Sequence, residues 1–149
     1  MKREETLDYH LRAAWHSISR MYNQRALKYN ATMSMGFALL VIDSEGGTPA
    51  TKIGPMMGLE SRSLTRLLKS LEEKQLIFKE SDKNDRRSVR ICLTKKGKNQ
   101  RDLARETVVL FNEAVRKNVG VEKLAVCLDV LQQVNKMVEQ NSIYDTLDR

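Results

Sequence analysis

Between residues 61 and 69 the chain sets Ser61, Arg62, Thr65, Arg66 and Lys69 around a leucine pattern. Leu64, Leu67, Leu68 and Leu71 fall at i, i+3, i+4 and i+7, which commits one face of a helix to a core. The five polar side chains share the other face. Short hydroxyls beside long guanidinium groups suit hydrogen bonding to phosphate oxygens and to guanine edges in a major groove, and suit an apolar partner poorly. Two strand-like runs follow, Leu76–Lys79 and Ser88–Leu93, joined by the loop Asp82-Lys83-Asn84-Asp85-Arg86-Arg87. Their β-branched content and partial alternation predict a hairpin. The order is that of a recognition helix followed by a basic wing.

The charge distribution points to the same chemistry. Residues 48–101 hold fourteen Lys and Arg against six Asp and Glu, while the remaining residues are nearly balanced at twelve against thirteen. The net charge of +7 is thus concentrated in one segment, the electrostatic footprint of polyanion binding. Only 5% of residues are aromatic, and most of those fall on apolar helix faces. Single strands want exposed aromatic platforms, so the wing's arginine pair favours duplex DNA. The alternative with the same fold is a winged-helix module for protein contact, which would present an apolar or mixed helix face.

Catalysis and metal chemistry find little support. His10 and His16 are six residues apart on one predicted helix, so they stand roughly 120° apart around it and share no face. No HExxH, Gly-x-Ser-x-Gly, P-loop or dinucleotide fingerprint is present, and no motif places a carboxylate pair. Cys92 and Cys127 lack any metal or redox spacing and are expected to be small buried apolar residues. No cofactor is implied.

These groups must be positioned by a mainly α-helical chain with a small β-wing. Its 149 residues suit one domain able to bury its own core. No apolar run is long enough for a membrane span and no signal peptide is evident, so a cytoplasmic location is expected. Leu7, Leu11, Trp15, Ile18, Tyr22 and Ala26 predict a helix over about 5–29. A second helix, capped by Ser34, should stop before Gly46-Gly47, and a short third one should cover about 50–57 and end at Gly58. The recognition helix should run from Ser61 to about Lys74. Thr94 should cap a long helix broken near Asn118–Gly120, and a last one carries Leu124, Cys127, Leu128, Leu131, Val134 and Val138 in register. The terminal helices offer more apolar surface than one small winged domain covers, which predicts a two-fold homodimer.

The run Gly58-Leu59-Glu60-Ser61-Arg62-Ser63-Leu64-Thr65-Arg66-Leu67-Leu68-Lys69-Ser70-Leu71-Glu72-Glu73-Lys74, then Leu76-Ile77, then Asp82 through Gly97 with its Asp-Arg-Arg and Leu-Thr-x-x-Gly elements, resembles the MarR family of bacterial transcriptional regulators. The motif-level likeness covers about residues 48–97. The resemblance implies a winged helix-turn-helix lobe over about 32–97 and a helical dimerisation lobe from 1–31 and 98–149. It implies that Ser61, Arg62, Ser63, Thr65 and Arg66 enter the major groove, with Lys69 beside them, and that Arg87 reaches into the adjacent minor groove. Asp85 would brace the wing. Arg86, Lys79, Lys83 and Arg90 would meet backbone phosphates or serve only solubility. The function implied is that of a repressor binding a pseudo-palindromic operator as a homodimer. Members often bind small aromatic or phenolic effectors between the two lobes, and no residue here identifies one.

Two positions depart from the family pattern. Pro55 stands inside the short third helix, where proline costs about 3 kcal/mol, and predicts a kink or a late start. Gln75 replaces the glycine that commonly ends the recognition helix; a left-handed non-glycine costs about 1 kcal/mol and predicts a local change in the exit to the wing.

Overall fold

The computed structural model describes residues 1–140 and Tyr144. They fall into two compact units, Met1–Thr107 and the part from Val108 onward.

The first unit opens with a 3₁₀ turn at Arg3–Glu5 and the helix α1, Leu7–Leu27. Next come α2 (Met33–Val41), the two-residue strand β1 (Thr48–Pro49), α3 (Ala50–Met57) and α4 (Ser61–Glu73). Strands β2 (Ile77–Ser81) and β3 (Val89–Leu93) form the hairpin, and α5 starts at Lys95. The sheet is antiparallel in the order β1-β3-β2, with Thr48 opposite Ile91 and Ile77 opposite Leu93. Strand β1 was not legible as a strand. Two residues carry no period, and Pro49 has no N–H to extend the ladder, which confines it to a short edge.

The core lies where α2, α3, α4 and the inner sheet face meet. Leu39, Ile42, Ile53, Leu71 and Ile91 are fully buried there, joined by Leu68, Leu76, Ile77 and Leu93. The leucine pattern on α4 thus points inward as predicted. Truncating one such side chain to alanine costs about 2 to 5 kcal/mol. Thr48 is the buried polar residue of this region, and its hydroxyl is satisfied twice, accepting from the Asp43 N–H at 2.9 Å and donating to the Val41 carbonyl at 3.4 Å.

Local chemistry sets the element ends. Thr32, not Ser34, caps α2, its Oγ1 accepting the Met35 N–H at 3.2 Å. The two hydroxyls are two residues apart, and periodicity alone does not choose between them. Pro55 does not delay the start of α3, and the helix runs through it from Ala50 to Met57. Proline at the sixth position of eight removes a single bond, and the freed Thr51 carbonyl belongs to an exposed residue that water reaches. Gln75 does take the left-handed conformation, φ 60°. The exit is nonetheless a regular Schellman turn, with the Leu76 N–H on the Leu71 carbonyl and the Gln75 N–H on that of Glu72, each at 2.9 Å.

The Leu-Thr-x-x-Gly run has a mechanical reason. Leu93 is buried, Thr94 Oγ1 accepts the Gly97 N–H at 2.9 Å, and the same hydroxyl donates to the Gln75 carbonyl at 2.7 Å. It therefore caps α5 and staples it to the end of α4. Gly97 lies so close to the Leu76 carbonyl that a Cβ would overlap it.

The second unit holds the rest of α5, to Val119, and α6 (Val121–Glu139), parted by Gly120 at φ 92°. Leu128 and Val138 on α6 are 51% and 59% exposed, and Leu124 and Leu131 are half-buried. The expectation of buried cysteines is corrected: Cys92 is half-buried and Cys127 exposed. Cysteine's low polarity makes burial common without compelling it. No helix among the described residues is long and apolar enough to cross a membrane.

Candidate nucleic-acid interface

Helix α4 presents Ser61, Arg62, Ser63, Thr65, Arg66 and Lys69 to solvent, opposite the buried Leu68 and Leu71. Its first turn has no side-chain cap: Glu60 occupies the N-cap without a hydrogen bond to it. The N–H groups of Ser61, Arg62 and Ser63 therefore point outward beside the positive end of the helix dipole, a natural phosphate seat. The Thr65 hydroxyl donates to the Ser61 carbonyl at 2.8 Å, which holds its lone pairs in a defined direction. Lys69 stands 3.9 Å from Glu73, one turn on; both are exposed, so the pair is weak and screened.

The wing is ordered by its own carboxylates. Asp82 Oδ1 accepts the Asn84 N–H at 2.8 Å, and the Asp82 N–H donates to the Ser88 carbonyl at 2.9 Å, closing the loop. Asp85 Oδ1 accepts the Arg87 N–H at 3.0 Å while its carbonyl accepts from Ser88. The Asn84 N–H, and then the Arg90 guanidinium, hold the Asp82 carboxyl below the usual carboxylate range.

The basic side chains separate into two groups. Among the described residues, no acidic side chain pairs with Arg62, Arg66, Arg86 or Arg87, and all four are exposed. These guanidinium groups are available to an anion. Lys79 and Arg90 are already engaged. Lys79 Nζ is 3.1 Å from Glu72 Oε2, and Arg90 meets Asp82 with Nη2 at 3.2 Å and the Gly46 and Gly47 carbonyls with Nη1 at 3.2 and 2.9 Å. Arg90, assigned from the sequence to backbone phosphates or to solubility only, thus has most of its donors engaged within the protein. Asp82 and Arg90 lie eight residues apart, and only the strand register, with Glu80 opposite Arg90, brings them together. The available signal was Asp82 two residues before Asn84, an Asx-turn spacing.

Away from this surface, Phe37 stacks near Trp15 at 6.5 Å between ring centroids and meets Tyr22 edge-on at 5.8 Å. Trp15 stays 52% exposed above a buried Tyr22, leaving an aromatic ledge open to solvent. His10 Nε2 lies 2.7 Å from the Glu4 carbonyl and His16 is exposed, so the two histidines do not converge. Among the described residues no cluster of His, Cys, Asp or Glu could hold a metal ion.

Residues 32–89, from α2 to the start of β3, match the MarR family model. The stretch that holds α2, α3, α4 and most of the wing is thus similar to the MarR family. The HTH-type transcriptional regulator SarZ of Staphylococcus aureus is 29% identical over 133 residues, covering 89% of this chain and 84% of the relative. Solved structures share the fold at lower identity. The S. aureus MepR–DNA complex has a TM-score of 0.82 at 19% identity and covers 92% of this chain and 99% of its own. CouR from Rhodococcus jostii RHA1 bound to p-coumaroyl-CoA has a TM-score of 0.76 at 18% identity, covering 90% and 94%.

Proposed function

We propose that the chain is a sequence-specific duplex-DNA-binding repressor that acts as a ligand-responsive homodimer on a pseudo-palindromic operator. The observation that carries this reading is the set of four exposed arginines with no acidic partner among the described residues, Arg62 and Arg66 on α4 and Arg86 and Arg87 on the wing. Arg62 and Arg66 read bases from the major groove, with Ser61, Ser63 and Thr65 on phosphates and base edges and Lys69 alongside. Arg87 enters the minor groove, where a narrow A/T-rich stretch has enhanced negative potential, and Asp85 holds its backbone. We assign residues 32–97 to a DNA-binding lobe and 1–31 with 98–149 to a dimerisation lobe, of which 141–143 and 145–149 lie outside the described residues.

A second copy is the occupant that best fits the apolar residues left open on the terminal helices, Leu7 and Leu11 on α1 and Val121, Leu128 and Val138 on α6. The aromatic ledge of Trp15 and Phe37 suits a flat aromatic effector, the class that the CouR complex with p-coumaroyl-CoA also represents. A protein-binding winged module is disfavoured by the charge of the α4 face. The test is to pass the purified protein over random duplexes and sequence what it retains. A two-fold motif supports operator binding by a dimer, and enrichment of no duplex sinks the reading.

A further inference from the structure

Arg90 departs from the other wing arginines in being engaged by contacts within the protein. From β3 it reaches two ways across a cleft of about 550 Å³ between the wing and the loop that follows α2. Nε and Nη2 hold Asp82 Oδ2 at 3.3 and 3.2 Å, and Nη1 holds the carbonyls of Gly46 and Gly47. One planar fork thus adds a side-chain link between the segments that flank β3 on either side, the end of β2 and the loop that enters β1.

Both ends of this strut are firm. At the loop end, Asp43 Oδ1 accepts the N–H groups of Glu45 and Gly46 at 3.0 and 2.6 Å, and the Gly47 N–H returns to the Asp43 carbonyl. Gly47 adopts φ 68° against Ile91 and Cys92, where a Cβ would come within 2.6 Å of either, so any other residue would push the loop off the sheet. Glu45 is paired to Lys98 of α5 at 3.6 Å. At the wing end, Asp82 passes the constraint on through Asn84 and Ser88, and Ser88 is bonded to Asp85, which holds the Arg87 N–H. The hairpin itself is two five-residue strands whose outer member, β2, has no further partner. Past the buried Ile77 the residues of β2 are exposed, so the tip has little core contact of its own and a tether near it bears on where it stands.

We propose that Arg90 is a positioning residue for duplex binding, clamping Asp82 to the Gly46–Gly47 carbonyls so that Arg87 is held at the height of the minor groove. The inference rests on the DNA-binding reading above and adds a residue outside the DNA-facing set. A direct phosphate role for Arg90 makes a different prediction, because loss of a phosphate contact weakens all sequences alike and lowers the salt slope by about one.

The test uses the full-length protein and the duplex it enriches from a random pool, built with A/T-rich and with G/C-rich flanks under the wing. Wild type is expected to prefer the A/T-rich flank by about tenfold, the scale of one good groove contact. Arg87→Ala and Arg90→Met should each bring that preference close to one, and the double variant should go no further. Discrimination at the bases under α4 should survive in Arg90→Met, which a general loss of structure would not allow. Arg90→Lys should fail to restore the preference, since a point charge cannot span three acceptors. If Arg90→Met melts before the assay temperature, Asp82→Asn breaks the same strut from its other end and should shift the flank preference in the same direction. Equal weakening on both flanks, or losses for Arg90→Met and Arg87→Ala that add, would overturn the proposal while leaving DNA binding intact. Enrichment of no duplex by wild type would instead remove the DNA-binding reading and this inference with it.

Discussion

The Lys79 ammonium stands 3.1 Å from the Glu72 carboxylate, tying β2 to the last turn of α4. A cation so engaged gains less from a phosphate than a free one, because it must first give up its partner. Lys79→Ala should therefore change duplex affinity little, whereas Arg66→Ala should weaken the cognate site by about 1 to 3 kcal/mol more than random DNA. Competition binding with both DNAs reads the difference. Equal losses for Arg66→Ala on the two DNAs would take it out of the base-reading set.

Salt should act steeply on wild type, since the basic segment releases counterions when it meets phosphates. Lys83, exposed on the wing, is expected to contribute to that slope without contributing sequence preference. Lys83→Ala should lower affinity for every duplex by the same factor. A flat double-logarithmic salt plot for wild type would contradict the assignment.

Gly97→Ala should be among the most damaging single methyl additions in the chain. The new Cβ meets a backbone carbonyl, that of Leu76, which has no rotamer to escape through. A loss of about 1 to 3 kcal/mol or more is expected, measured by urea unfolding. Thr94→Val, which keeps the shape and removes the hydroxyl that caps α5, should cost about 1 kcal/mol.

Acid should release the wing. Hydrogen bonding from Asn84 and the charge of Arg90 lower the Asp82 pKa from its ordinary 3.8, so the folded carboxyl is the stronger acid. Its contribution is complete above the unfolded value and fades as pH falls through the lowered folded one. The stability advantage of wild type over Asp82→Asn is expected to hold at about pH 5 to 7 and to shrink only below about 4, in parallel melts. An advantage that vanishes near neutrality would mean that another group is titrating.

Assembly and effector response can be followed together. The protein should sediment as a dimer at micromolar concentration without DNA, and Leu128→Glu on the exposed face of α6 should shift it toward monomer and weaken operator binding. Trp15 is the only tryptophan, so an aromatic acid or phenol that lands on its ledge should change its fluorescence. Linkage then requires that such a ligand weaken operator binding by the factor by which operator weakens the ligand's own. Fluorescence changes with unaltered operator affinity would show that this ledge does not carry regulation by those ligands.

Short-range chemistry was legible in the residue order. The leucine spacing set the inward face of α4, Gly58 marked the end of α3 and Thr94 marked the start of α5, because each depends on neighbours within a turn or two. The choice of Thr32 over Ser34 as a cap, and the tolerance of Pro55, turned on single hydrogen bonds that a pattern does not resolve. What only tertiary structure decided is which arginines are free. Arg86, Arg87 and Arg90 lie within five residues and look alike in sequence. Strand pairing turns Arg90 toward Asp82 and toward the carbonyls of a loop more than forty residues earlier, and leaves Arg86 and Arg87 in solvent. Partner choice for a long charged side chain depends on contacts remote in sequence, and those exist only once the sheet has formed.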